Sequence, residues 1–141
     1  ILITMTAAAN APVEDFLQII ASDEELNAAV EQSDTFVVVI DVHKKWCGPC
    51  EAMWPTFQSI KSTTPLCEER MAKYSIEMDE FGDSIQKLLP DEVKSVDGRG
   101  CSPMFLVFRN KICKAAIEGC NSPQLEIDIL NHMPPKPIQN D

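Results

Sequence analysis

The chain has 141 residues, 45% of them hydrophobic and 24% charged, enough to close one core and too few to argue for two domains. With 22 acidic against 12 basic residues, its formal net charge is -10 and its pI about 4.6, which argues against nucleic acid and anionic membrane as partners and favours proteins. Of the six cysteines, only Cys47 and Cys50 have motif spacing, which argues against a secreted disulfide scaffold and for a reducing compartment.

Residues 1–13 read as a flexible leader: the apolar run is too short for a signal-peptide core, no basic residue precedes it, and Met5 is a candidate initiator. A domain over 14–133 follows, with a Pro-rich tail over 134–141. Phe16 to Ile20 is the first expected strand. Ser22-Asp23-Glu24-Glu25 is a capping-box sequence opening a helix to about Gln32, with Leu26, Ala29 and Val30 on its apolar face. Phe36 to Ile40, rich in β-branched residues, reads as a buried strand that runs into Trp46-Cys47-Gly48-Pro49-Cys50. Glu51 to Lys61 repeats Met53, Phe57 and Ile60 at helical spacing, and Thr63-Thr64-Pro65 ends that helix. Met71 to Met78 is the next strand. The resulting βαβαβ order predicts parallel strands with helices on both faces of the sheet. Phe81 to Leu89 is a short helical face stopped by Pro90, and a polar loop continues to Gly100. Met104 to Arg109 and Ile112 to Ile117 form an expected antiparallel hairpin around Asn110, a residue that tolerates left-handed φ. Ser122 caps and Pro123 opens a last helix carrying Leu125, Ile129 and Met133.

Cys47 lies where a strand gives way to a helix N-terminus, a place where N–H groups and the helix dipole favour a thiolate. It is therefore the expected nucleophile toward disulfides. Cys50, one helical turn on, is the expected resolving thiol that attacks the mixed disulfide and releases the reduced product. Gly48 leaves the backbone open to an incoming chain, and Pro49 fixes φ in a first turn where no N–H is needed. A Cys-x-x-Cys pair can also be half of a zinc site, but four ligands are needed and no second pair or His cluster accompanies it, so no metal is assigned. Asp41, an acid among Val and Ile residues, is costly to bury without a partner or purpose. His43 and His132 read as surface residues, Trp54 as a packing residue, and Cys67 and Cys113 as inert thiols.

Trp46 to Cys50 match in full the active-site motif of the thioredoxin family, which the chain resembles from about Phe16 to Met133. The resemblance implies a thioredoxin fold, with a central mixed sheet of about five strands flanked by helices on both faces. It implies that Asp41 is the buried carboxylate beneath the dithiol and proton acceptor for the resolving thiol, with Lys73 paired to it. It places Pro55 at a kink in the second helix and makes Pro103 a cis proline. Trp46, Gly48, Pro49, Ser102, Pro103 and Gly119 would then form the substrate-docking surface, with Cys101 and Cys120 near it, most simply as fillers. The reversible Cys47–Cys50 disulfide would be the redox group, with no metal or organic cofactor.

The chain also departs from the family pattern. Glu51 stands where many thioredoxins have a basic residue and disfavours a nearby thiolate, with Lys44 and Lys45 upstream to offset it. Ser102 makes the docking surface more polar, and the loop from Pro90 to Gly100 is about ten residues longer than usual. Asp41-Val42 leading into KKWCGPCEAM, with Gly100-Cys101-Ser102-Pro103 before MFLVF, resembles the thioredoxin-like light chains of axonemal outer-arm dynein and their ciliary relatives. This implies a cytoplasmic chain at the axoneme of a cilium, held by a dynein heavy chain or another axonemal subunit and docking or sensing redox state. Disulfide-bearing proteins and a thioredoxin reductase are further implied partners. The alternative is a free cytosolic thioredoxin acting as a general protein-disulfide reductant.

Overall fold

Val37–His43, the central strand, is buried along its whole length, because hydrogen-bonded neighbours lie on both edges and helices on both faces. A strand so enclosed reads as one apolar run rather than an alternation. In this computed structural model, which describes residues 17–45, 47, 51–93 and 102–136, it is β2 of a five-stranded sheet in the order β1-β3-β2-β4-β5. β1 (Gln18–Ile19) and β3 (Met71–Glu77) run parallel to one another and to β2, whereas β4 (Met104–Arg109) is antiparallel to β2 and β5 (Ile112–Glu118) antiparallel to β4. The helices are α1 (Asp23–Glu31), α2 (Trp54–Thr63), α3 (Met78–Gln86) and α4 (Ser122–Asn131).

Strand alternation divides the core into two layers. Val38, Ile40 and Val42 point to one face, where Leu26 and Val30 of α1 and Ile85 of α3 join Ile76, Leu106 and Phe108. Val37 and Val39 point to the other, against Phe57 and Ile60 of α2, Leu125 and Ile129 of α4, and Phe105 and Val107. Each such fully buried side chain contributes about 1.5–3 kcal/mol. Asp41 and His43 share the parity of Val37 and Val39, so they belong to the α2/α4 face.

Element boundaries differ from the sequence reading for local reasons. α1 begins as expected, with Ser22 Oγ accepting from the Glu25 N–H at 3.1 Å and Glu25 accepting from the Ala21 N–H at 2.9 Å. The segment expected to be helical from Glu51 instead starts as a 3-10 turn, Glu51–Met53, and becomes α-helical at Trp54. Pro55 lacks the N–H that would reach back to Glu51, which accounts for the change. The third helix starts three residues before Phe81, which itself is non-helical at φ -113°. The last helix is capped by Asn121, not Ser122: Asn121 Oδ1 accepts from the Gln124 N–H at 3.2 Å.

The β4–β5 hairpin turns through Asn110 and Lys111, both left-handed at φ 57° and 66°. Two consecutive left-handed residues match the twist of the strands they join. The 3-10 turn Gln32–Asp34 after α1 holds this conformation. Ser33 C=O accepts from the Asn110 N–H at 2.6 Å and the Arg109 guanidinium at 2.8 Å, while Ser33 Oγ accepts from the Lys111 N–H at 2.7 Å. The Ser33 hydroxyl donates in turn to Val30 C=O. An extra residue in β5, Lys114, falls at the register shift opposite Val107 and Phe108.

After α4 the chain is tied back to the sheet. Arg70 donates through Nε and a terminal nitrogen to Pro134 C=O at 3.0 and 2.8 Å, and its other terminal nitrogen donates to Pro65 C=O at 3.0 Å. Pro134 is buried. Beyond Pro90, Val93 packs against the α1/α3 layer and donates its N–H to Pro90 C=O at 3.0 Å. The remainder of the long loop, residues 94–100, lies outside the described residues, as do residues 1–16 and 137–141.

Candidate functional site

β2 carries Asp41 and His43 to the end of the sheet from which the chain leaves for Cys47. Parallel strands present their C-terminal ends together, so β3 arrives beside them, with Ser75 in register with Asp41 and Glu77 with His43. Phe105 of β4 faces Asp41 from the other edge. Asp41 and Ser75 are fully buried and His43 is 7% exposed. The His43 imidazole lies with Nδ1 3.1 Å from Ser75 Oγ and 4.0 Å from Asp41 Oδ1. Burial lowers the His43 pKa below its ordinary 6.5, and the Asp41 backbone carbonyl and the charges of Glu77 and Asp79 only partly oppose it. The ring is therefore neutral at pH 7.

The segment leaving β2 is fixed from two sides. Cys47 donates its N–H to Lys44 C=O at 3.1 Å, closing a turn. Asp79, in the first turn of α3, accepts from the Lys45 N–H at 2.7 Å and lies 3.8 Å from Lys44 Nζ. Cys47 is half-buried and disulfide-bonded. Trp46, Gly48, Pro49, Cys50 and Cys101 lie outside the described residues.

Of the other expected site residues, Lys73 is half-buried on the same face of β3 as Ser75, opposite Val39, with Nζ 5.8 Å from the centre of the Phe57 ring. Ser102, Pro103 and Gly119 come together: Pro103 C=O accepts from the Gly119 N–H at 2.8 Å. Gly119 has φ +75°, which a side chain would strain, and a Cβ there would stand 3.5 Å from Ser102 Oγ. Ser102 is exposed and Pro103 buried. The Ser102–Pro103 bond is not cis, since no cis peptide occurs among the described residues. Trans is the isomer an X–Pro bond intrinsically prefers, by about 0.5–1 kcal/mol.

Cys67 and Cys113 behave as packing thiols. Burial raises the pKa of both, that of Cys113 to about 11, so neither is a thiolate at neutral pH. Cys120, next to Gly119, is exposed. Among the described residues no cluster of His, Cys, Asp and Glu could hold a metal, and no helix is long and apolar enough to cross a membrane.

The family model for thioredoxin matches residues 18–129. The chain belongs to the thioredoxin family. Its relatives include thioredoxin domain-containing protein 3 of Homo sapiens, 33% identical over 67% of this chain and 14% of that protein. Two flagellar outer-arm dynein light chains of Chlamydomonas reinhardtii are also similar. The 16 kDa chain is 30% identical over 68% of this chain and 56% of its own length, the 14 kDa chain 28% identical over 78% and 76%. The match thus spans about one seventh of the human protein and little over half of the 16 kDa light chain. Among solved structures, thioredoxin Mala s 13 of Malassezia sympodialis superposes with a TM-score of 0.57 at 27% identity, covering 82% of this chain and 90% of that one.

Within this thioredoxin domain, sequence reasoning placed His43 on the surface, and the structure corrects that. The strand extends three residues past Ile40, so His43 is enclosed by β3 rather than released to solvent. Its spacing of two from Asp41 was the available signal, since strand residues i and i+2 share a face. Ser75 and Asp79 were not singled out either. His132, the other histidine expected at the surface, is half-buried just after α4.

Proposed function

We propose that the chain is a dithiol–disulfide exchange module carried as a light-chain subunit of an axonemal outer-arm dynein. The observation that carries the exchange reading is the disulfide-bonded Cys47 leaving β2 a short turn after a fully buried Asp41. In the forward direction the Cys47 thiolate attacks a substrate disulfide, forming a mixed disulfide and expelling one substrate thiolate, which takes a proton from water. The Asp41 carboxylate then accepts the Cys50 proton. The Cys50 thiolate attacks the Cys47 sulfur, the second substrate thiolate leaves, and the chain ends oxidised by two electrons. Lys73, on the Asp41 face of the sheet, would steady that carboxylate's charge. Ser102, Pro103 and Gly119 form the platform for the substrate chain, with Trp46, Gly48 and Pro49 completing it. Cys50→Ser should trap substrate proteins on Cys47, and Cys47→Ser should trap none. Trapping through Cys50 would reverse the roles.

The subunit reading is supported by the two flagellar outer-arm light chains among the relatives, and it implies a dynein heavy chain or neighbouring axonemal subunits as partners. Extraction of axonemes at high salt, followed by sedimentation, tests it: the chain should travel with the dynein particle. The coverage of Mala s 13, 90% of a thioredoxin's length, favours a second reading, a free cytosolic reductant recycled by a thioredoxin reductase. Recovery solely as a rapidly recycled monomer would decide for it.

A further inference from the structure

We propose that His43, seated against Ser75, is a positioning residue that keeps more of the Asp41 carboxyl ionised at acid pH while the mixed disulfide is resolved; the inference rests on the exchange reaction proposed above. Asp41 and His43 point to the same face of β2, and Ser75 faces Asp41 across the β2–β3 pair. All three are buried. The 3.1 Å contact to Ser75 Oγ is a hydrogen bond that fixes the ring. The 4.0 Å from Nδ1 to Asp41 Oδ1 is too long for one, yet short enough for strong charge coupling in a buried setting.

That coupling has a defined sign. A proton on His43 puts a cation 4.0 Å from Asp41 and favours its carboxylate. The two groups therefore titrate as a pair, and at any given acid pH more Asp41 is ionised than if the ring could not take a proton. Since Asp41 must be ionised to accept the Cys50 proton, His43 extends resolution to lower pH. Among the described residues, the other charges acting on the ring are Glu77, its partner across the strands, and Asp79 of α3, both favouring its protonation. Lys44 is engaged with Asp79, and Lys73 stands further back along β3 near Phe57. On β4, Phe105 and Met104 are the register partners of Asp41 and Val42, and neither is charged.

The experiment mixes the reduced protein with oxidised glutathione and follows release of the second glutathione, the resolution step, between about pH 5 and 9. His43→Gln retains a hydrogen-bonding group for Ser75 but cannot be protonated. Its acid limb should move to higher pH by about half a unit or more, and the shift should vanish when Asp41→Asn is also present. An acid limb like that of the wild type in His43→Gln would make the residue merely structural and overturn the inference. NMR titration of the His43 ring gives a readout independent of turnover: Asp41→Asn should lower its midpoint by half a unit or more, and an unmoved midpoint refutes the coupling. A wild-type chain that exchanges no disulfide at any pH would instead remove the proposed function, and this inference with it.

Discussion

Folding places the His43 ring where a proton is less welcome than in water, with burial as the leading cause. Between its lowered folded value and 6.5 the unfolded chain binds more protons, so stability contributed by the neutral ring is present above pH 6.5 and lost as the pH falls through the folded pKa. Urea unfolding at about pH 7.5 and 5.5 should show the loss in the wild type and a smaller one in His43→Gln; equal losses would mean another group is responsible. Asp41→Asn should slow resolution of the mixed disulfide by about tenfold or more, as expected for a lost proton acceptor. It should leave stability unchanged or improved, because a buried charge is replaced by a neutral isostere. Unaltered resolution kinetics would remove Asp41 from the mechanism. The acid was legible in the sequence because a charge inside Phe36 to Ile40-Asp41-Val42 contradicts its surroundings. The histidine was not, because composition alone sends histidine to the surface and only the full length of β2 reveals where it points.

Among elements, the most local ones were the best read: α1 with its Ser22 cap and the hairpin around Asn110. What sequence could not show is that the turn after α1 and the turn of the hairpin, 76 residues apart in the Ser33–Arg109 contact, form one hydrogen-bonded unit. No local pattern encodes such a distant pairing. Lys111, a residue with a Cβ held at φ 66°, depends on it. Ser33→Ala deletes the hydroxyl that serves both Val30 C=O and the Lys111 N–H. The loss should be about 1–3 kcal/mol, the cost of leaving buried polar groups unserved. A lower denaturant midpoint with faster amide exchange at Lys111 checks it, and a midpoint within about 0.3 kcal/mol of wild type would show that water replaces the hydroxyl. Pro55 shows the reverse case, a residue seen correctly whose consequence, a 3-10 entry to α2, needed the coordinates.

At the scale of the molecule, the alternation of strands and helices was enough to forecast parallel strands covered on both faces; the mixed sheet followed from the thioredoxin resemblance and the expected hairpin. The long loop was legible only as an insertion. Near its start Val93, partly buried, packs against the α1/α3 layer, so a shortened chain should keep the loop through that residue. Deleting 94–99 should leave insulin reduction intact and shift stability little, since loop length costs only slowly. It should also abolish co-sedimentation with the proposed dynein particle. Persistence of the truncated chain in that particle would place the contact elsewhere. The Arg70 clamp on Pro134 has a practical corollary. Arg70 C=O accepts the Val37 N–H at the start of β2, whereas Cys47 follows the other end, a strand length of about 20 Å away. A fluorophore or surface tether joined near Lys136 would therefore hang from the pole opposite Cys47, leaving that end open to solution.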